Sequence, residues 1–200
     1  MLSGIACMVV MAFLVEPVRT WAICKWHQKQ LEHSELDQVR YASERLCLMG
    51  QHRLLLNSAA IEYQKVYTQT GRFYYQKPMW GLLGIPERPV AILSGLRYMN
   101  EAGIRDVLHL YSTGGIYIEE ACGAALRVIA VASKDSLPII FEGLSHPNEA
   151  VRAETLAIVR DARKVWGISA LRAASEKSSD HLIRRLVEEL CEGGNEQSRE

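Results

Sequence analysis

Six histidines (His27, His33, His52, His109, His146 and His181) and five cysteines (Cys7, Cys24, Cys47, Cys122 and Cys191) are the side chains of this chain best suited to metal binding or nucleophilic catalysis. Their spacing works against both. His27 and His33 are six residues apart, which turns them about 240° from each other on a helix. Asp106 and His109 stand at i,i+3 and share a helix face, but a metal site needs three or four ligands and this pair supplies two. They read as a solvated polar pair on an outer face, and His146 reads as a turn residue. The cysteines lie 17, 23, 75 and 69 residues apart with no CxxC pair. A chain of 200 residues buries enough surface to fold without a covalent staple, so buried free thiols are expected. No GxGxxG, P-loop, GxSxG or HExxH pattern occurs. The expectation is a protein that is not an enzyme and takes no metal and no cofactor.

Lysine plus arginine equals aspartate plus glutamate at 23 each, so overall charge gives no reason to expect nucleic acid as a partner. Residues 1–89 hold ten basic and seven acidic side chains and residues 90–200 hold thirteen and sixteen. At 48% hydrophobic and 23% charged residues, the composition is that of a globular chain.

The first segment, residues 1–26, is apolar. MLSGIACMVVMAFLV carries no charge, Glu16, Pro17 and Arg19 interrupt it, and Trp21, Ala22, Ile23 and Cys24 resume it. Three readings stay open. Residues 2–24 form a membrane anchor in which Glu16 and Arg19 neutralise each other at i,i+3, with Trp21 and Trp26 at the interface. Lys25 and Lys29 then place the body of the protein on the cytoplasmic side. Alternatively, the segment is an export signal with an apolar core at Ile5–Val15, against which the missing basic n-region argues. As a third possibility it is a buried first helix.

Residues 27–70 read as a helical hairpin. The apolar spacing of Leu31, Leu36, Val39, Leu46 and Cys47 extends one helix from Trp26 to Leu48, Gly50 turns the chain, and a second helix runs from Arg53 to Thr68. Residues 71–89, GRFYYQKPMWGLLGIPERP, hold three prolines and three glycines and form a connector. Its crowded aromatics, Tyr74, Tyr75 and Trp80 among them, either fold back on the core or offer a patch to a partner. From Val90 a helix is expected until Gly103 breaks it.

The strongest pattern is internal. GIRDVLHLYSTGGIYI (103–118) aligns without gaps on SLPIIFEGLSHPNEAV (136–151), an offset of 33 residues. Ile104 falls on Leu137, Val107 on Ile140, Leu108 on Phe141 and Tyr111 on Leu144, which is one helix face in each copy. Turn residues follow at the same place, then second helices at 119–132 and 152–165. A third, degenerate copy at 167–192 has Asp180 as a helix cap. Hairpins this short bury their apolar faces only by stacking on their neighbours. The fold expected is therefore all-α, a right-handed α-solenoid of stacked helical hairpins over residues 90–192, with an apolar N-terminal helix and a disordered tail at 193–200.

At LSHPNEAVRAETLAI (144–158) the chain resembles the HEAT-repeat family, with a turn holding Pro, then Val-Arg, then small and apolar residues. IEEACGAAL (118–126) departs from the pattern in having Glu119 where Arg is usual, and Ile183-Arg184 in the third copy lacks the alanines. The resemblance implies a scaffold that binds another protein and carries no shared catalytic residues. It also implies that Arg152 and Arg184 brace a neighbouring turn acid, Asp135 or Asp180. Arg152, Arg163 and Arg184 are the candidate contacts to a partner on the repeat, interleaved with Glu149, Glu154, Asp161, Glu188 and Glu189 in what otherwise reads as a mixed solvated face. Two other roles remain open: an accessory or regulatory subunit of an enzyme complex, and a membrane-tethered spacer.

Overall fold

The computed structural model describes residues 2–33, 35–70 and 87–192, with side chains from residue 16 onward except at residue 70. Among these residues every regular element is helical and none is a strand. The chain is all-α. Helix α1 spans Leu2–Gln30, α2 Leu36–Leu48 and α3 His52–Thr70. Helix α4, Glu87–Leu93, tightens into a 3₁₀ segment at Ser94–Tyr98. Helices α5, Glu101–Thr113, and α6, Ile116–Ala132, form a hairpin. The short α7, Leu137–Ile140, continues as 3₁₀ through Phe141–Ser145 into α8, Glu149–Glu176, and α9 closes the described chain at His181–Glu192.

Local chemistry places the boundaries. Gly50 takes φ 73° and ends α2, with its amide bonded to the Cys47 carbonyl at 2.9 Å and that of Gln51 to Leu46 at 2.9 Å. This is the left-handed helix stop that glycine makes without strain. The single helix expected over Trp26–Leu48 is instead two. Helix α1 unwinds after Gln30, His33 Nδ1 accepts from the Glu35 amide at 3.2 Å, and Arg88 donates to the carbonyls of His33 at 2.7 Å and Leu31. Arg88 thereby satisfies acceptors that a helix end leaves open. A second correction concerns Gly103. The chain breaks earlier, at Met99–Asn100, and Gly103 sits in the first turn of α5, where its amide donates to the Asn100 side chain at 2.9 Å. Capping by an asparagine outweighs the helix-breaking tendency of a glycine that is inside the first turn.

The residues paired at the 33-residue offset are buried alike: Ile104 and Leu137, Val107 and Ile140, Leu108 and Phe141, Tyr111 and Leu144. Helix α6 packs on α5, on α3 before it and on α8 after it. Its buried Ala121, Ala124 and Ala125 permit that close approach. The run Glu149–Glu176 is two helices that meet at Gly167, whose φ of 76° and ψ of 170° interrupt the helical backbone. Leu171 and Ala174 beyond Gly167 are buried, and Asp180 caps α9 by accepting from the Leu182 amide at 2.8 Å. Cys47, Cys122 and Cys191 are buried free thiols and Cys24 is partly exposed.

Among the described residues no helix is long and apolar enough to cross a membrane. The uncharged run on which the anchor reading rests, residues 1–15, has its side chains outside the described set. Tyr74, Tyr75 and Trp80 of the connector, and the tail at 193–200, also lie outside it.

Candidate functional site

Helix α5 buries Ile104, Val107 and Leu108 and leaves Asp106 on its flank, opposite the start of α3. Arg53 grips that carboxylate with Nε at 2.7 Å and with a second nitrogen, and His52 Nε2 lies 2.7 Å from the same oxygen. The Arg53 hydrogen bond, with support from His52, holds the Asp106 pKa down at about 2 against partial burial. The expected pairing with His109 is thus replaced by one between helices, because α3 presents a guanidinium that His109 cannot match. Cys122 is fully buried nearby, and burial first, then the Asp106 charge, push its thiol up to about 12. A thiol held protonated is a weak nucleophile.

A second polar cluster lies where α6 meets α8. Arg127 donates to Glu154 at 3.1 Å and also to Asp161, which Lys164 reaches at 3.0 Å. Glu154 is only 6% exposed. One guanidinium faces two carboxylates, and burial, then repulsion from Asp161, raise the Glu154 pKa to about 8. Asp161 is the more exposed of the two carboxylates. Tyr63 of α3 is buried and its phenol is pushed up by burial and by Glu120. These groups sit in the seams between helices. Among the described residues no group of three or more His, Cys, Asp or Glu side chains is placed to hold a metal.

The arginines singled out as partner contacts are dispersed. Arg152 donates to the carbonyls of His146 and Pro147, both at 2.8 Å, and so braces its own turn rather than a turn acid. Asp180, the acid proposed for that role, accepts from Ser145 at 2.6 Å instead. Arg163 donates to the Leu190 carbonyl at 2.9 Å and ties the end of α9 to α8. Arg184 is exposed on α9. Two of the three are therefore engaged by the fold, and they do not converge.

An open cleft lies at the other end of the molecule. Its walls are one side of α1, with Pro17, Thr20, Trp21, Cys24 and Gln28, and the start of α3, with Gln51 and Leu54. It encloses about 890 Å³ and is lined mainly by apolar surface. Volumes of this order accommodate a ligand or a row of partner side chains. Around it, Glu16–Ile23 are exposed at every position, with Val18 at 64% and Trp21 at 63%. His27 and Leu31, one and two turns further on, are buried against α2. Trp26 stays 54% exposed, its ring meeting that of His27 edge-on with 4.7 Å between centroids. Sequence periodicity misses this cleft because Leu54 and Gln51 come from a helix start some thirty residues away. The exposed tryptophans were visible in the sequence as residues beside an apolar run.

No family model and no curated protein matches this chain.

Proposed function

We propose that this chain is a non-catalytic helical-repeat scaffold, an α-solenoid of HEAT-like hairpins, that binds a helix of a partner protein in the cleft between α1 and the start of α3. The observation that carries the reading is the cleft itself: an open apolar trough of about 890 Å³ beside a tryptophan that no other part of the described chain covers. An amphipathic helix lays its apolar side chains into a groove of this kind. The ionisable clusters favour the same reading, since Asp106 and Arg127 spend their charges joining helices. Leu54→Arg puts a charge on the wall of the cleft at a partly buried position that packs on the core, so the variant is first checked for wild-type circular dichroism. The partner captured by photo-crosslinking from Thr20 is expected to be lost in Leu54→Arg and kept in Arg185→Glu, at the far end of the chain. A chain that crosslinks to nothing, or a capture indifferent to Leu54→Arg, overturns the proposal.

A second reading is favoured by the exposure of α1. A helix that is exposed on all sides over two turns and continues an uncharged apolar run is suited to lipid. In this reading residues 2–24 tether the scaffold at a membrane, and Lys25 and Lys29 keep its body on the cytoplasmic face. Fractionation with and without residues 2–24 tests it, and a truncated chain that stays with the membrane pellet overturns it.

A further inference from the structure

Helix α1 between Cys24 and Lys29 has one side turned to the body and one turned away, while the turns before it are exposed all round. Successive residues on a helix are about 100° apart. His27, which is 3% exposed, marks the body side together with Leu31. Opposite them, Val18, Trp21 and Trp26 fall within one arc with Arg19, Lys25 and Lys29, and all six are exposed. Each charged residue within that arc is a cation. Glu16 falls outside it and lines the cleft, as do Trp21 and Lys25 at the edge of the arc. Large aromatic rings interleaved with lysine and arginine on an uncovered helix face match the boundary between headgroups and acyl chains. The rings sit at the level of the glycerol backbone and the cations meet negative headgroups. Lys25 and Lys29 are one turn apart and about 40° apart around the helix, so both reach one plane.

We propose that this face of α1 seats on an anionic lipid surface, with Trp21 and Trp26 inserted at headgroup depth and Arg19, Lys25 and Lys29 pairing with acidic headgroups. The proposal rests on the tether reading and adds the lipid class and the residues that recognise it. Trp21 and Lys25 also line the cleft, so the lipid surface meets the edge of the trough that they form.

Co-sedimentation of the full chain with vesicles of phosphatidylcholine alone, and of phosphatidylcholine carrying phosphatidylserine, tests it. The full chain is expected to prefer the anionic vesicles and to lose that preference in high salt. Each surface cation contributes on the order of a factor of five at an anionic membrane, so R19Q/K25Q/K29Q is expected to weaken anionic binding roughly a hundredfold. Trp21→Ala with Trp26→Ala is expected to weaken binding to both vesicles. All five positions are exposed, so the variants are expected to keep the wild-type circular dichroism. Equal binding to both vesicle types, unaffected by R19Q/K25Q/K29Q, overturns the proposal while leaving a tether through residues 2–15 intact. Binding to neither overturns both. A triple variant that keeps vesicle binding but loses the crosslinked partner assigns the face to protein, which also overturns it.

Discussion

Glu154 is the residue whose burial has the most direct consequence for stability. It shares Arg127 with Asp161, and its pKa rises to about 8 because burial disfavours its charge and Asp161 repels it. A carboxyl that is raised in the folded state holds a proton that the unfolded chain gives up at lower pH. Its contribution to stability is therefore complete below the unfolded value, near 4.5, and is lost as pH rises through about 8. Asp106 runs the other way: its contribution is complete above its unfolded value and is lost as pH falls through about 2. The two windows do not overlap, so the wild-type unfolding midpoint is expected to decline between pH 5 and pH 8.5 through Glu154. Glu154→Gln keeps the shape and the neutral state and is expected to flatten that decline. Urea midpoints at both pH values check this, and parallel pH profiles for the two proteins would contradict it. Neither role was legible in the sequence. Glu154 read as one acid in a mixed solvated face, because interleaved signs along a helix do not reveal which acid turns inward.

Between elements, α2 and the 3₁₀ segment after α4 approach closely. Ser43, fully buried, donates to the Ile92 carbonyl and accepts from the Gly95 amide at 3.0 Å. A Cβ on Gly95 would stand 2.4 Å from the Ser43 carbonyl carbon and 2.5 Å from the Glu44 amide nitrogen. Both are backbone atoms that no rotamer change can move aside, so the elements would have to separate. Gly95→Ala is expected to destabilise by at least ~1–3 kcal/mol, the range for overpacking a fitted interior, read as a lowered urea midpoint. An unchanged midpoint would show that the two elements are not seated so closely. The sequence shows the helices on either side of this contact through their apolar spacing, and it shows the Gly50 stop through the turn residue. It does not show the contact itself. Gly95 sits in SGLRY, which local rules read as ordinary helix. The reason for the glycine is Ser43, fifty-two residues earlier. The α1–α2 boundary is the same kind of case, since the capping group, Arg88, comes from the far end of the connector.

For the whole molecule, α4 with its 3₁₀ extension joins the two halves through α2 and α3, and so does α6. Helix α6 packs on α3 of the first hairpin and on α8 of the later one, and its small buried residues, Ala121, Ala124 and Ala125, bring both neighbours close. The 33-residue pattern announced the later hairpins because equivalent apolar positions recur there, but no repeat pattern links α3 to α6, and the sequence left residues 27–70 as a separate hairpin. If the α3–α6 contact is as extensive as its buried side chains make it, the two halves unfold together. Phe141 and Leu46 lie in different halves and are both fully buried. Phe141→Ala is expected to cost ~3–5 kcal/mol and Leu46→Ala ~2–5 kcal/mol, from lost burial and the cavities left behind. Trp166 reports on the later half, since its Nε1 donates to the Ala130 carbonyl of α6 at 2.8 Å. In a chain carrying Trp21→Phe, Trp26→Phe and Trp80→Phe, Trp166 fluorescence and far-UV circular dichroism are expected to give coincident denaturation curves. Leu46→Ala is expected to shift both by the same amount although it is remote from the probe. A Trp166 transition that ignores Leu46→Ala would mean that the first hairpin melts alone and that the cleft against α1 is lost before the repeat unfolds.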